Sequence, residues 1–304
     1  MKFVILSSSN PMATSRGMKH GLEQLGHQVS MFTIHNHRFY PDQLIRAGNE
    51  CDSLIVCKGT QIRNIKQYQE VISRLPDVTY FIPDVVDRGQ RSAAVGPRAM
   101  VCTRIVCTGL EAAKWFRTNG YTRRIAQVYQ GYRKHVWYPE AKPRNQSNTL
   151  VFLGSFYRDD GGRSKKISRI QKLGYPVLVR DNLFERDASM AYWNHAVCLN
   201  FSAWDCTSNR LMRILASGGF CLTEKNKDLA HSFENENQLV WFESTEEMLD
   251  KVSTYMKDST AREEIAARGL EWAKTRDWTA QMNKIVRFIN GEIVCDGAAG
   301  TYVS

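Results

Sequence analysis

The sequence has no apolar run long enough to span a bilayer. Its first stretch, Lys2 to Ser9, lacks the basic start and long apolar core of a secretory leader. That stretch reads as a buried strand, and the expectation that follows is a cytoplasmic protein. The chain also lacks any Cys-x-x-Cys pair. Its eight cysteines (Cys51, Cys57, Cys102, Cys107, Cys198, Cys206, Cys221 and Cys295) are scattered, several within apolar runs. This argues against a zinc ribbon or a disulfide framework and for reduced, buried thiols. No His/Asp motif has metal-ligand spacing. After the first strand, Ser7, Ser8, Ser9, Asn10 and Pro11 stand where a dinucleotide oxidoreductase carries Gly-x-Gly-x-x-Gly, which argues against hydride transfer. Internal repeats and low-complexity segments are absent too.

What is present is an ordinary globular composition, 43% hydrophobic and 24% charged, over 304 residues, a length that suits two domains. The formal net charge of +10 is unevenly spread. Residues 1–146 hold 21 Lys and Arg against 10 Asp and Glu, whereas residues 147–304 hold 20 against 21. A basic surface can serve solubility alone, or it can meet a polyanion.

Short apolar runs alternate with helical stretches. Phe3–Leu6, Val29–Ile34, Ser53–Cys57, Val78–Ile82, Ile105–Thr108 and Ile125–Tyr129 read as strands, and Ser7–Pro11 as a turn before a helix that reaches about Leu25. Pro139 to Asn148 is polar, with two prolines, and reads as a linker. The alternation then restarts with strand Leu150–Leu153, helix Arg163–Leu173, strand Val177–Val179, a short helix at Met190–Asn194, strand Val197–Phe201, helix Asn209–Ser217 and strand Phe220–Thr223. Helices follow at Glu246–Met256, Thr260–Lys274 and Trp278–Ile289. Strand–helix alternation implies parallel sheets covered on both faces. The expected fold class is therefore α/β, with two doubly wound, Rossmann-like domains facing a cleft. The first domain would span residues 1–140 and the second residues 149–290. The helix over 278–290 could pack back on the first domain, and 291–304 would be a flexible tail. Ligands of such sheets sit at strand carboxyl ends.

Two clusters carry chemistry. Gly154, Ser155, Phe156, Tyr157 and Arg158, followed by Gly161, Gly162, Arg163, Ser164, Lys165 and Lys166, open directly after a strand and run into a helix. Glycine admits close backbone approach, a helix N-terminus favours an anion, and Arg158 and Arg163 can clamp a pyrophosphate. A solvated basic loop has the same composition. The second cluster is Asp205 to Arg210, then an apolar-faced helix closed by Gly218 and Gly219. Ser208 or Asn209 is a natural N-cap, and Asn209 with Arg210 makes a second anion-binding candidate. An ordinary capped core helix would look similar.

The stretch from Asp205 to Thr275 resembles the donor domain of spore-maturation-type glycosyltransferases (glycosyl transferases group 1), and the resemblance extends over most of residues 150–290. It implies the two-domain GT-B fold and a nucleotide-sugar donor, UDP-sugar first. More weakly, the chain resembles the phage DNA β-glucosyltransferases. There Gly154, Ser155, Phe156, Arg158, Arg163 and Arg210 match diphosphate-contacting positions, and Tyr80–Asp84 matches the strand end carrying the catalytic aspartate. That implies Asp84 as general base with Asp87 as the fallback, and, for a phage-encoded enzyme, the host's cytoplasm. Both families place a glutamate on the ribose diol of the donor. Arg213 stands at that position here, and an arginine cannot accept from two hydroxyls. Glu224, after strand Phe220–Thr223, could take part of that role.

The expected reaction is metal-independent. Arg158, Arg163 and Arg210 meet the charge on the leaving diphosphate, Asp84 takes the acceptor proton, and in-line attack inverts the anomeric centre. The first half's basic residues include Arg16, Lys19, Arg88, Arg91, Arg98, Arg104, Arg123, Arg124, Arg133 and Lys134, with Tyr121, Tyr129, Tyr132, Trp137 and Tyr138 interleaved among the last of them. Arg16, Arg88, Arg91, Arg123, Arg124, Arg133 and Lys134 are the candidates for phosphate contact, and the aromatics could stack on a base or pack a domain interface. The expected acceptor is a hydroxymethylated base in DNA, flipped out of any duplex. The alternatives are the same chemistry on protein, lipid or polysaccharide, and a non-catalytic, nucleic-acid-binding relative. The lone histidines His35, His37, His135 and His195 read as satisfied or exposed side chains, although His35 and His37 follow a strand and could face a cleft.

Overall fold

The computed structural model describes residues 1–8, 14–34, 40–57, 62–83, 90–137, 147–154, 156, 162–201 and 207–292, apart from the side chains of 8 and 90–92. The chain divides into two compact units, one of Met1–Gly131 with Trp278–Ser304 and the other of Tyr132–Asp277.

Among its described residues the first unit holds six parallel strands: β1 (Lys2–Ser8), β2 (Gln28–Ile34), β3 (Ser53–Val56), β4 (Val78–Ile82), β5 (Arg104–Cys107) and β6 (Arg124–Gln127). Their order across the sheet is β2-β1-β3-β4-β5-β6, so the winding reverses between β1 and β3. Alternation along β1 decides both faces. Val4 and Leu6 enter one core with Leu54, Val56, Tyr80 and Ile105. Phe3 and Ile5 enter the other with Ile55, Phe81 and Val106. Ser7 and Ser8, expected in a turn, belong to β1, because pairing with β2 continues unbroken from Lys2↔Gln28 to Ser8↔Ile34.

The second face is covered by α1 (Thr14–Gln24) and by α12 (Trp278–Ile289), whose Trp278, Met282, Ile285 and Ile289 are buried there. The two helices approach closely at glycines. A Cβ on Gly21 would lie 2.7 Å from the Trp278 carbonyl carbon, a backbone atom that cannot swing aside. We therefore expect Gly21→Val to cost about 3 kcal/mol despite a small gain in helix propensity, and to lower the melting temperature by on the order of 10 °C. An unchanged melting curve would show that the α1–α12 contact contributes little.

Among its described residues the second unit holds five parallel strands, β7 (Ser147–Leu153), β8 (Val177–Arg180), β9 (His195–Asn200), β10 (Cys221–Glu224) and β11 (Val240–Phe242), in the order β11-β10-β9-β7-β8. Its winding reverses between β7 and β9. The helices are α6 (Lys134–Trp137), α7 (Gly162–Lys172), α8 (Glu185–Asn194), α9 (Asn209–Ala216), α10 (Thr245–Lys257) and α11 (Ser259–Ala273). In the first unit α2 (Pro41–Asn49), α3 (Ile65–Ser73), α4 (Gln90–Ala99) and α5 (Leu110–Thr118) complete the set. β7 starts at Ser147, inside the stretch read as linker, and α8 starts five residues before the Met190 expected from the sequence. Cys57, Cys102, Cys107, Cys198 and Cys221 are buried free thiols, as the cysteine pattern suggested, and Cys51 is a half-buried one. Among the described residues, no helix is long and apolar enough to cross a membrane.

Candidate functional site

In a doubly wound sheet, the two strands flanking the reversal send their following loops to opposite faces and leave a crevice at their carboxyl ends. In the second unit those strands are β7 and β9, and the helix after each begins at that crevice. Ser208 caps α9, its hydroxyl accepting from the Leu211 amide at 3.4 Å. The same hydroxyl donates to Asn200 Oδ1 at 3.0 Å, and Asn200 is held by its Nδ2 donating to Thr223 Oγ1 at 2.9 Å. At the other end of α9, Gly218 takes φ +69°, a left-handed conformation that costs glycine nothing.

Arg210, in the first turn of α9, spans the crevice. Its Nε donates to Leu153 O at 2.7 Å, at the end of β7. Its Nη1 donates to Phe201 O at 3.1 Å and Asn200 Oδ1 at 3.3 Å, at the end of β9. The guanidinium lies 4.8 Å from the Phe152 ring centroid. Burial holds it below the usual arginine range, and the neighbouring Arg163 and Arg213 charges push the same way. Among the described residues its Nη2 has no hydrogen-bond partner, and it lies beside Gly154.

Gly154 is glycine because of that approach: a Cβ there would fall on Nη2 and lie 3.1 Å from the guanidinium carbon and 3.2 Å from the Phe152 ring. Since Arg210 is tethered at both strand ends, it cannot yield freely. Gly154→Ala is expected to weaken anion binding at the crevice roughly tenfold while changing stability by only about 1 kcal/mol. Calorimetric titration with UDP alongside a thermal melt checks this, and equal affinity in the two proteins would contradict it.

Other cations share the crevice. Arg163 sits in the first turn of α7, 6.0 Å from the Phe152 ring centroid, and its charge bears on Arg210. Lys166 lies 5.7 Å from the Phe201 ring centroid and pairs with Glu224 at 2.9 Å. Glu224 is thus already engaged by a lysine. Phe152 and Phe201 stack at 5.4 Å and form an apolar floor. Cations resting on aromatic faces, beside two helix N-termini, give the crevice a concentrated positive field. Two side-chain atoms at the start of α9, Thr207 Oγ1 and Asn209 Oδ1, are buried without a partner among the described residues. Buried polar atoms ordinarily have one. Ser155 and Arg158 lie outside the described residues.

Asp84, Asp87, Arg88, His35, His37 and Tyr138 also lie outside the described residues, as does the Arg91 side chain. The strand end leading to Asp84 is described, and it is anchored. Gln130 Nε2 donates to Pro83 O at 3.0 Å, and Gln130 Oε1 accepts from Thr14 Oγ1 at 3.1 Å. One buried amide thereby ties the exit of β4 to the start of α1.

The basic residues of the first half divide. Arg16 is exposed on α1. Arg104 is buried and clamps Asp77 through two bonds of 2.6 Å, and Arg98 is buried with its guanidinium donating to Ile62 O at 2.6 Å. Arg123 donates to Cys102 O at 2.9 Å. Arg124 donates to Glu292 O at 2.7 Å and lies 4.5 Å from the Phe288 ring centroid. Arg133 and Lys134 belong to the second unit, where Arg133 pairs with Glu185. Of the two readings of the aromatics, the burial of Tyr121, Tyr129, Tyr132 and Trp137 favours packing over stacking on a base.

Asn200, Gln130, Tyr192 and Glu185 were not among the candidates that the sequence suggested. Asn200 alone left a signal, as a polar residue inside the apolar run Val197–Phe201.

The glycosyl transferase-like family matches residues 133–286, just over half of the chain. No curated protein sequence matches it. Among solved structures, HepE of Anabaena in complex with UDP-glucose is similar at 13% identity, covering 96% of this chain and 100% of that one, with a TM-score of 0.68. The sucrose-phosphate synthase of Thermosynechococcus elongatus is similar at 12% identity, covering 95% and 98%, with a TM-score of 0.68. T4 phage BGT in complex with its UDP-glucose substrate is similar at 13% identity, covering 96% and 100%, with a TM-score of 0.64. With two parallel doubly wound sheets and this family match across the second, the chain belongs to the glycosyltransferases of GT-B fold.

Proposed function

We propose that this glycosyltransferase takes its sugar from a UDP-sugar, holds the donor diphosphate at the β7–β9 crevice, and transfers the sugar with inversion to a hydroxymethylated base in DNA. The observation that carries the donor half is Arg210, fixed to both flanking strand ends with Nη2 left over. UDP and UDP-glucose complexes among the structural neighbours support UDP as the nucleotide.

In the reaction, the acceptor hydroxyl oxygen attacks the anomeric carbon, the bond from that carbon to the diphosphate oxygen breaks, and UDP leaves. Asp84 accepts the hydroxyl proton, with Asp87 as the alternative base. Charge grows on the diphosphate as it departs, and Arg210, Arg163 and Arg158 are the groups that meet it. This scheme uses side-chain cations where other transferases use a metal ion.

Two observations support a DNA acceptor. Counted by unit, Met1–Gly131 with Trp278–Ser304 holds 19 Lys and Arg against 11 Asp and Glu, while Tyr132–Asp277 holds 22 against 20, so the excess positive charge stays with the first unit. T4 phage BGT is also among the neighbours. A second reading, transfer to a protein, lipid or polysaccharide, is favoured by the internal engagement of Arg98, Arg104, Arg123 and Arg124, which leaves fewer cations for phosphates. The test is incubation with a panel of nucleotide sugars and DNA containing hydroxymethylated pyrimidines, followed by mass spectrometry of the digested nucleosides. A hexose or pentose mass on the modified base establishes the DNA reading. Donor hydrolysis without a modified nucleoside rejects it and leaves the second.

A further inference from the structure

One turn along α9 from Arg210, the side chain of Arg213 lies on the same helix face. Its guanidinium is 5.0 Å from the centroid of the buried Trp137 ring. Trp137 packs in turn against the buried Tyr192 of α8, with ring centroids 6.3 Å apart. Arg213 therefore sits at the junction of α6, α8 and α9. Yet among the described residues no hydrogen bond or ion pair reaches its guanidinium. An arginine carries five N–H donors and accepts nothing, so this half-buried guanidinium, resting on an aromatic ring, has donors to offer a ligand.

Among the described residues, the nearest carboxylate is already engaged. The carboxylate that bears on Arg213 is Glu185, and Arg133 already holds it. Glu185 is itself at φ +49°, a left-handed conformation that a glutamate rarely adopts, at the first residue of α8. Tyr192 also lacks a hydrogen-bond partner for its hydroxyl among the described residues. Burial pushes that phenol up, while Arg210 and Arg213 together pull it down, so both guanidiniums bear on the same hydroxyl. Arg210 Nη2, the Arg213 guanidinium and the Tyr192 hydroxyl are thus neighbouring donor groups around α9, and among the described residues none of them engages a protein acceptor.

We infer that Arg213 and the Tyr192 hydroxyl form a second oxyanion subsite beside the diphosphate crevice, and that the natural donor carries a further anionic group, a carboxylate on its sugar or a phosphate on its ribose. This subsite rests on the proposed donor site and narrows its substrate class. A carboxylate or phosphate oxygen meets a planar fork of N–H donors bidentately, which a neutral hydroxyl cannot do with the same strength.

The test is calorimetric titration of the full chain with UDP, UDP-glucose, UDP-glucuronate and ribose-phosphorylated UDP at one fixed salt concentration. We expect one of the two anionic ligands to bind about tenfold tighter than UDP-glucose, and its identity names the source of the charge. Arg213→Gln should weaken that ligand about tenfold more than it weakens UDP-glucose, and Arg213→Glu should reverse the order. Tyr192→Phe should lower the preference by a smaller factor. If the unaltered protein binds UDP but treats UDP-glucose and both anionic ligands alike, the subsite is refuted and the donor crevice stands. Binding of none of the four refutes the donor crevice, and the subsite with it. Because the first comparison uses the unaltered chain, it stays decisive even where a variant fails to fold.

Discussion

Replacing Arg210 with alanine is expected to lower kcat/KM for sugar transfer by about a thousandfold. The guanidinium does two things at once. It carries positive charge at the point where two helix N-termini converge, in surroundings drier than water, where the interaction with a departing diphosphate is strongest. It also fixes the crevice, joining Leu153 O to Asn200 and Phe201 O. Removing one preorganised group that stabilises transition-state charge costs roughly 3–4 kcal/mol, which is the thousandfold. The structural cost is smaller. Three acceptors lose a donor, but a buried charge is also removed, leaving a net loss of about 2 kcal/mol and on the order of 5 °C in melting temperature. Activity assayed well below that melting point separates the two. Arg210→Lys keeps the charge but loses the fork, so it should recover stability partly and activity little. A variant that keeps wild-type kcat/KM would move the leaving-group role elsewhere.

The contrast between the two halves of the site shows what a sequence exposes. Elements whose instructions are local were readable. Ile55 and Val56 lie in a short apolar run that is a strand, and α9 announces itself by Ser208 before an apolar face and Gly218 after it. Gly154 and Arg210 could each be picked as anion-binding candidates, because a glycine after a strand and an arginine at a helix start have local meanings. Their mutual contact, 56 residues apart in the chain, could not. β11 is three residues long and α6 four, too short for any periodicity to register. The early start of α8 depends on Glu185 holding φ +49° beside Arg133, 52 residues away. Arg104, Arg98 and Arg123 looked like surface charge because composition cannot tell a solvated guanidinium from one bonded to a carboxylate or a carbonyl across the fold. Gln130 gave no signal, since its two partners, Pro83 and Thr14, are 47 and 116 residues distant.

Asp84→Asn is expected to lower transfer by about a thousandfold while leaving UDP affinity within about twofold. The acceptor hydroxyl must lose its proton as it attacks, and an amide in place of the carboxylate cannot take it. The substituted side chain keeps the size of the original and gains an N–H donor, so any binding role that depends on shape survives while the base is lost. The anchoring of Pro83 supplies a second arm. Gln130 Nε2 holds the carbonyl just before Asp84, and Gln130 is buried, so Gln130→Leu leaves that carbonyl and Thr14 Oγ1 without their partner. If Asp84 is the base, Gln130→Leu should lower kcat roughly tenfold with little change in UDP affinity, because it misplaces a catalytic group without removing it. The pH profile separates the roles further. The rise in rate on the acid side, set by ionisation of the base, should persist in Gln130→Leu and vanish from the residual activity of Asp84→Asn. Should Asp84→Asn retain full activity, the same measurement on Asp87→Asn decides whether the base is the neighbouring carboxylate. If neither substitution matters, proton removal is carried by the acceptor itself or by solvent, and the first unit serves only to position it.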